Sequence, residues 1–168
     1  MPTINVALQR VSVVSSRPFD EIVQRLMGTI GRPDIAAFHD AIFSATNAAD
    51  LEKVVQGAIG SSGLMEFVRF DAGEVLRKEG SGRSPRILRL VVGNPIIMRE
   101  MAAVVPDAAA YAPVTILVDE RTDGVHLSYD SMASLLVPYG SPKALAVARD
   151  LDSTVVGLLE AAAQPERR

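Results

Sequence analysis

Apolar residues along this chain recur with two periods, and the switches between them mark out its elements. In residues 4–15, Ile4, Val6 and Leu8 share one parity and Val11 and Val13 the other. Such alternation predicts a strand, with a bulge near Gln9 and Arg10, since one extra residue swaps the faces. Phe19, Ile22, Val23, Leu26, Met27 and Ile30 follow at helical spacing, opposite Asp20, Glu21, Gln24 and Arg25. Pro18 in the first turn and Gly31 at the end bound this amphipathic helix. Two shorter helical stripes come next: Ile35, Phe38, Ile42 and Phe43, then Leu51, Val54, Val55, Ala58 and Ile59. They form a helical insertion over residues 33–60, with Asp50 near the start of its second helix, where the helix dipole favours an anion.

Residues 64–77 and 86–92 read as a pair of strands joined by the loop 78–85. Asn94 can cap the next helix, with Pro95 at its first position and Ile97, Met101, Val104 and Val105 on its buried face. Residues 114–120 and 125–129 flank Arg121-Thr122-Asp123-Gly124, a strong hairpin signal. Residues 132–139 are apolar without a clear period, and either tuck over the sheet or form a subunit interface, a partly interfacial role being the favoured reading. Ser141 and Pro142 open a long closing helix whose stripe is Ala144, Ala148, Leu151, Val155 and Leu158, and residues 164–168 are expected to fray. Strand pairs separated by helices predict an α+β fold. Residues 1–168 then make a single domain with a mainly antiparallel sheet and helices packed on one face.

Composition narrows the function. Hydrophobic residues make up 48% of the 168, enough to exclude wholesale disorder, and Trp is absent, so the core rests on aliphatic side chains. The net charge of −3 supplies no basic field for nucleic acid. With no cysteine, thiolate chemistry, disulfides and cysteine-based metal sites are all excluded. Met1-Pro2-Thr3-Ile4-Asn5 has neither the basic start nor the apolar stretch of a signal peptide, and no apolar run has membrane-spanning length. A cytoplasmic location, with no membrane partner, is the expectation.

Three segments carry a family resemblance: Arg10-Val11-Ser12-Val13-Val14-Ser15 leading into Pro18-Phe19; Gly93-Asn94-Pro95; and Pro113-Val114-Thr115-Ile116 through to His126-Leu127-Ser128-Tyr129. Taken in order, they resemble the bacterial family of domain of unknown function 302 over nearly the whole chain. The resemblance implies a β-α-β-β-α-β-β-α domain that pairs as a homodimer, and implies no reaction. The insertion at 33–60 looks longer than the family's minimal pattern.

The candidate chemistry is sparse. Alternation puts Val114, Ile116 and Val118 on one face with Val125, Leu127 and Tyr129; Thr115, Asp119, His126, Ser128 and Asp130 take the other. If Arg121 pairs with Gly124, Asp119 lies opposite His126; a tighter turn centred on Asp123-Gly124 puts Arg121 there instead. The polar face is then either a His–carboxylate unit able to move protons or simply the solvated side of a half-buried sheet. His39 reads as a packed or boundary residue, no spacing suggests a metal site, and Asp150 and Asp152 read as surface groups. Haem ligation by His126 or Met98 stays open, because one axial ligand leaves almost no sequence trace. Gly80-Ser81-Gly82-Arg83-Ser84 lacks the ending of a phosphate loop, although Arg77, Lys78, Arg83, Arg86 and Arg89 make that region locally basic and could attract an anion. The Gly93-Asn94-Pro95 turn could hold an anion or a carbonyl at a helix N-terminus, or could be only a cap.

Two functional readings stand. The first is a non-catalytic homodimeric binding or interaction module, taking a small apolar or anionic ligand with Asn94, His126, Tyr129 and Arg89 as polar handles. The second is a small enzyme using His126 as general acid/base, oriented by Asp119. The missing nucleophile, metal set and cofactor fingerprint favour the first.

Overall fold

The computed structural model describes residues 3–78 and 85–165. Five antiparallel strands, β1 (Arg10–Ser15), β2 (Met65–Asp71), β3 (Ile87–Gly93), β4 (Val114–Arg121) and β5 (Gly124–Asp130), form one sheet in the order β1-β5-β4-β3-β2. Between and after them run α1 (Phe19–Met27), α2 (Ile35–Ser44), α3 (Ala48–Ala58), α4 (Ala72–Arg77), α5 (Pro95–Ala102), α6 (Ala108–Tyr111), α7 (Met132–Leu136) and α8 (Pro142–Ala163). The protein is α+β, and α1, α5 and α8 reproduce the expected alternation of helices with strand pairs.

One parity of the sheet makes the core. Leu90, Val92, Ile116, Val118, Leu127 and Tyr129 pack with Ile22 and Leu26 of α1, Met101 of α5, and Leu151, Val155 and Leu159 of α8. Along α8 the fully buried stripe ends in Leu159 and Ala162, and Leu158 is only partly buried. Five turns of 3.6 residues on from Ala144 reach Ala162, and Leu159, three residues before it, lies on that line.

Several boundaries differ from the sequence reading. The first strand begins at Arg10, and Ile4 and Leu8 are exposed, so no bulge falls inside it. The reason lies in its only partner: Arg10 pairs with Asp130, the last residue of β5, after which Ser131 turns the chain into α7. Beyond that point Gln9 is held at α7 by Ser131 N–H donating to its carbonyl (2.9 Å) and by its own N–H donating to Ser134 Oγ (3.1 Å). The second strand stops at Asp71, whose Oδ1 accepts from Glu74 N–H (2.8 Å) and caps α4. Asp-x-x-Glu is a helix-start signal that outweighs the β-rich run before it. The irregular apolar stretch is α7 followed by a 3₁₀ turn at Val137–Tyr139, with Met132 and Leu136 in the core and Val137 exposed. It is a cover for the intramolecular core, and only its tip faces outward. The loop 79–84 and its Gly-Ser stretch lie outside the described residues.

The helical segment 33–60 closes on itself. Gly31 and Gly60 both donate to Leu64 O at 2.9 Å, and Glu66 N–H donates back to Gly31 O at 2.8 Å. A Cβ on Gly31 would sit 2.0 Å from Ala58 O, and one on Gly60 would sit 2.2 Å from Thr29 O. With its two ends touching, the α2–α3 pair forms a separate small cluster of Phe38, Val55, Ala58 and Met65, bordered by Phe67 and Ile96. His39 is exposed beside this cluster, its ring centroid 6.4 Å from that of Phe38; the stripe through Ile35, Phe38 and Ile42 turns it outward, so it is a boundary residue and not a packed one.

Gly31→Ala and Gly60→Ala should each destabilise the protein by about 3 kcal/mol or more, because backbone oxygens cannot yield to the added methyl as a side chain can. Gly157→Ala, mid-helix with nothing within 4 Å of its Cβ, should stabilise it by about 1 kcal/mol. Urea denaturation of the three variants checks both signs.

Candidate functional site

The β4–β5 hairpin turns through Thr122 and Asp123, with Arg121 paired to Gly124, whose φ of 139° and closeness to Ser15 O suit only glycine. That register sets Asp119 directly opposite His126. Both are buried, but they do not bond one another. Arg121 takes Asp119, its Nε donating to Oδ2 at 2.5 Å, and His126 Nε2 donates to Asp123 Oδ1 at 2.9 Å. Turn curvature brings Asp123 over the ring, a contact three residues away that strand alternation does not anticipate. The bond from His126, then one from its own backbone N–H, holds the Asp123 carboxyl below its ordinary value of 3.8. A His–carboxylate unit therefore exists, with Asp123 in place of Asp119.

The five nominated residues fall into three separate places. His126, Asp119 and Arg89 lie on the sheet face away from the helices, where Arg89 donates to Thr115 Oγ1 at 3.5 Å. Tyr129 lies on the opposite face, 1% exposed, so it cannot share a ligand with His126 and is not an accessible handle. Asn94 sits at the start of α5, its Oδ1 accepting from Ile96 N–H (2.8 Å) and its Nδ2 donating to Gly63 O (3.0 Å). Both ends of the amide are committed, and the cap itself uses a helix N-terminal donor.

Tyr129 leads to a group that the sequence reading misassigned. Its hydroxyl donates to Asp152 Oδ1 at 2.7 Å, and Asp152 also accepts from Ser131 Oγ (2.6 Å), Met132 N–H (2.7 Å) and Ala133 N–H (3.2 Å). Burial first, then this bond, pushes the phenol well above its ordinary 10.0. Asp152 is thus a half-buried structural carboxylate that ties β5 and the N-terminus of α7 to α8, where a surface role was expected. A signal was present: Asp152 is four residues from Ala148 and three from Val155, on the apolar stripe itself.

The basic region is largely neutralised. Arg77 pairs with Glu74 and Asp71, Lys78 with Glu74, and Arg86 with Asp20 while its guanidinium lies 4.3 Å over the Phe19 ring. Among the described residues, no three His, Asp or Glu side chains gather as a metal cluster, and no helix is long and apolar enough to cross a membrane. Met98 is on the helix side of the sheet and His126 on the other, so the two cannot ligate one haem.

An apolar cavity of about 100 Å³ lies between α5, the start of β4 and α8. Phe67, Ile97, Met98, Met101, Pro113 and Leu151 line it, with Asn94 at the rim and no charged residue in its wall. Gly93 opens it: a Cβ there would meet Pro113 Cβ at 2.9 Å.

Comparison with known proteins places this geometry in context. The profile of the family described as "Domain of unknown function DUF302" matches residues 40–162. No curated protein matches the chain. Among solved structures, the uncharacterized conserved protein DUF302 from Bacillus stearothermophilus superimposes with a TM-score of 0.63 at 14% identity, covering 91% of this chain and 97% of that one. At that identity the likeness concerns the fold.

Asp152→Ala should lower stability by about 3 kcal/mol or more, since several charge-assisted bonds go at once and buried donors lose their partner. In a domain of this size that corresponds to a fall in melting temperature of roughly 6–12 °C. For Asp123, whose folded-state pKa is depressed, stabilisation is present above the ordinary 3.8 and lost as pH falls through the folded value. The stability gap between the natural chain and Asp123→Asn should therefore hold steady through neutral pH and close on acidification, as followed by thermal melts at each pH.

Proposed function

The chain belongs to the DUF302 family, and from that premise we propose that it is a non-catalytic, homodimeric, cytoplasmic module that binds a small apolar molecule in the cavity beside α5. The observation that carries this reading is the wall of that cavity, which is aliphatic, aromatic and thioether around a single amide. Sites for small molecules are typically apolar concavities with a few placed polar groups. With no cation in the wall, an apolar ligand is favoured over an anionic one. The volume of about 100 Å³ limits the enclosed part to a handful of heavy atoms, comparable with cavities of about 150 Å³ that admit benzene. Met98 and Met101 can re-pack around such a guest.

A second reading rests on the 2.9 Å bond between His126 and Asp123, which could orient an imidazole for general acid/base work. Against it, Arg121 occupies Asp119, and the neighbouring hydroxyls Ser12 Oγ and Ser128 Oγ face each other at 3.3 Å, leaving the imidazole without an adjacent nucleophile bonded to it.

Titration with benzene, followed by amide chemical-shift changes, should perturb Phe67, Asn94 and Met101. Ile97→Trp, which fills the cavity, should weaken binding at least about tenfold at unchanged fold. His126→Ala, on the far side of the sheet, should leave benzene binding intact. Shifts spread over the surface, or affinity indifferent to Ile97→Trp, would refute the site.

A further inference from the structure

Among the described residues no layer covers one face of the sheet, and we propose that a second copy of this chain docks on it. The inference rests on the homodimeric reading above and supplies its surface. The outward residues form cross-strand rows: Arg10 with Asp130; Thr115, Val91 and Val68; Ser12, Ser128, Leu117, Arg89 and Phe70; Val14, His126, Asp119 and Ile87. Leu117 is central. Val14, Val68 and Phe70 are 49%, 51% and 49% exposed, and Ile87, Val91 and Leu117 are half-buried by their neighbours alone. None of these six belongs to either hydrophobic cluster of the fold.

Three arguments select a second copy as the occupant. First, aliphatic side chains on both sides of a sheet call for a layer on both, and two such faces can stack about 10 Å apart as in a β-sandwich. Second, the face carries three arginines, Arg10, Arg89 and Arg121, against three aspartates, Asp119, Asp123 and Asp130, within a chain of net charge −3. Self-association therefore brings together balanced surfaces instead of like charges. Third, five strands about 4.8 Å apart and six residues at about 3.3 Å give a face of roughly 24 by 20 Å, so two faces remove on the order of 1,000 Å², the threshold for a specific interface. The ion pair between Arg10 and Asp130, at 2.6 Å, stands at a corner, while Leu117 at the centre is flanked by Ser128, Arg89 and Thr115, so the face is half polar throughout. A depression of about 140 Å³ between Arg89, Thr115, Leu117 and Ser128 leaves room for water to satisfy the enclosed polar groups.

Native mass spectrometry and light scattering of the full chain across micromolar concentrations test this. The natural chain should be a dimer. Leu117→Glu should weaken dimerisation by at least about 100-fold, because a two-fold contact counts each substitution twice. Circular dichroism and a cooperative melt should show the variant folded. Phe70→Glu, on an edge strand and half exposed, should weaken the dimer in the same direction and decides the matter if Leu117→Glu fails to fold. Phe43→Glu, on α2 and 89% exposed, should leave the dimer intact. A dimer insensitive to both sheet variants, or one broken only by Phe43→Glu, overturns this face while sparing the homodimeric reading. A natural chain that is monomeric throughout overturns both.

Discussion

The two-residue turn at Thr122 and Asp123 sets the register of the β4–β5 hairpin, and the rest of the sheet inherits it. Each strand pairs antiparallel with its neighbour, so once Asp119 stands opposite His126, the same parity runs outward to Val14 on one side and Ile87 on the other. A slip of one residue would move every core side chain to the open face. Gly124 enforces the turn, because a Cβ there would meet the Ser15 carbonyl at 2.6 Å as well as strain the backbone.

That single constraint sorts the chemistry of the protein. One parity, including Tyr129, is sealed beneath α1, α5 and α8; the other, including His126, Asp119 and Arg89, is held outward. The two sides do different work. The helix side carries the small apolar cavity that we read as a binding site, and the open side carries a balanced, half-apolar surface suited to a second copy. Asp152 locks the first arrangement, because one carboxylate collects donors from β5, from the turn after it and from the start of α7. Its partner network also explains why Tyr129 is buried with its hydroxyl intact: a phenol costs little to bury when it donates to a charged acceptor.

The α2–α3 segment follows a different logic. It leaves and rejoins the rest of the fold at one point, where Gly31 and Gly60 meet between α1 and β2. The pair brings its own apolar cluster through Phe38 and Val55, and Phe67 borders both that cluster and the cavity.

Local pattern determined most of the architecture by itself. Period two in residues 114–129 predicted both strands and their faces and left two registers open, of which the structure adopts the one pairing Arg121 with Gly124; period 3.6 predicted α1, α3, α5 and α8; Asn94-Pro95 predicted a cap that is formed as written. These are statements about neighbours in sequence, and short-range sterics and hydrogen bonds decide them. What lay beyond reach depended on contacts across the fold. Ile4, Val6 and Leu8 alternate as a strand should, yet no partner strand extends past Asp130 to receive them. Asp152 could be seen on an apolar stripe, but only the approach of β5 and α7 supplies the donors that make its burial favourable. His126 and Tyr129 fall on opposite sides of the sheet by alternation alone, but which side is covered, and so that Tyr129 is closed to a ligand, is settled by where the helices pack.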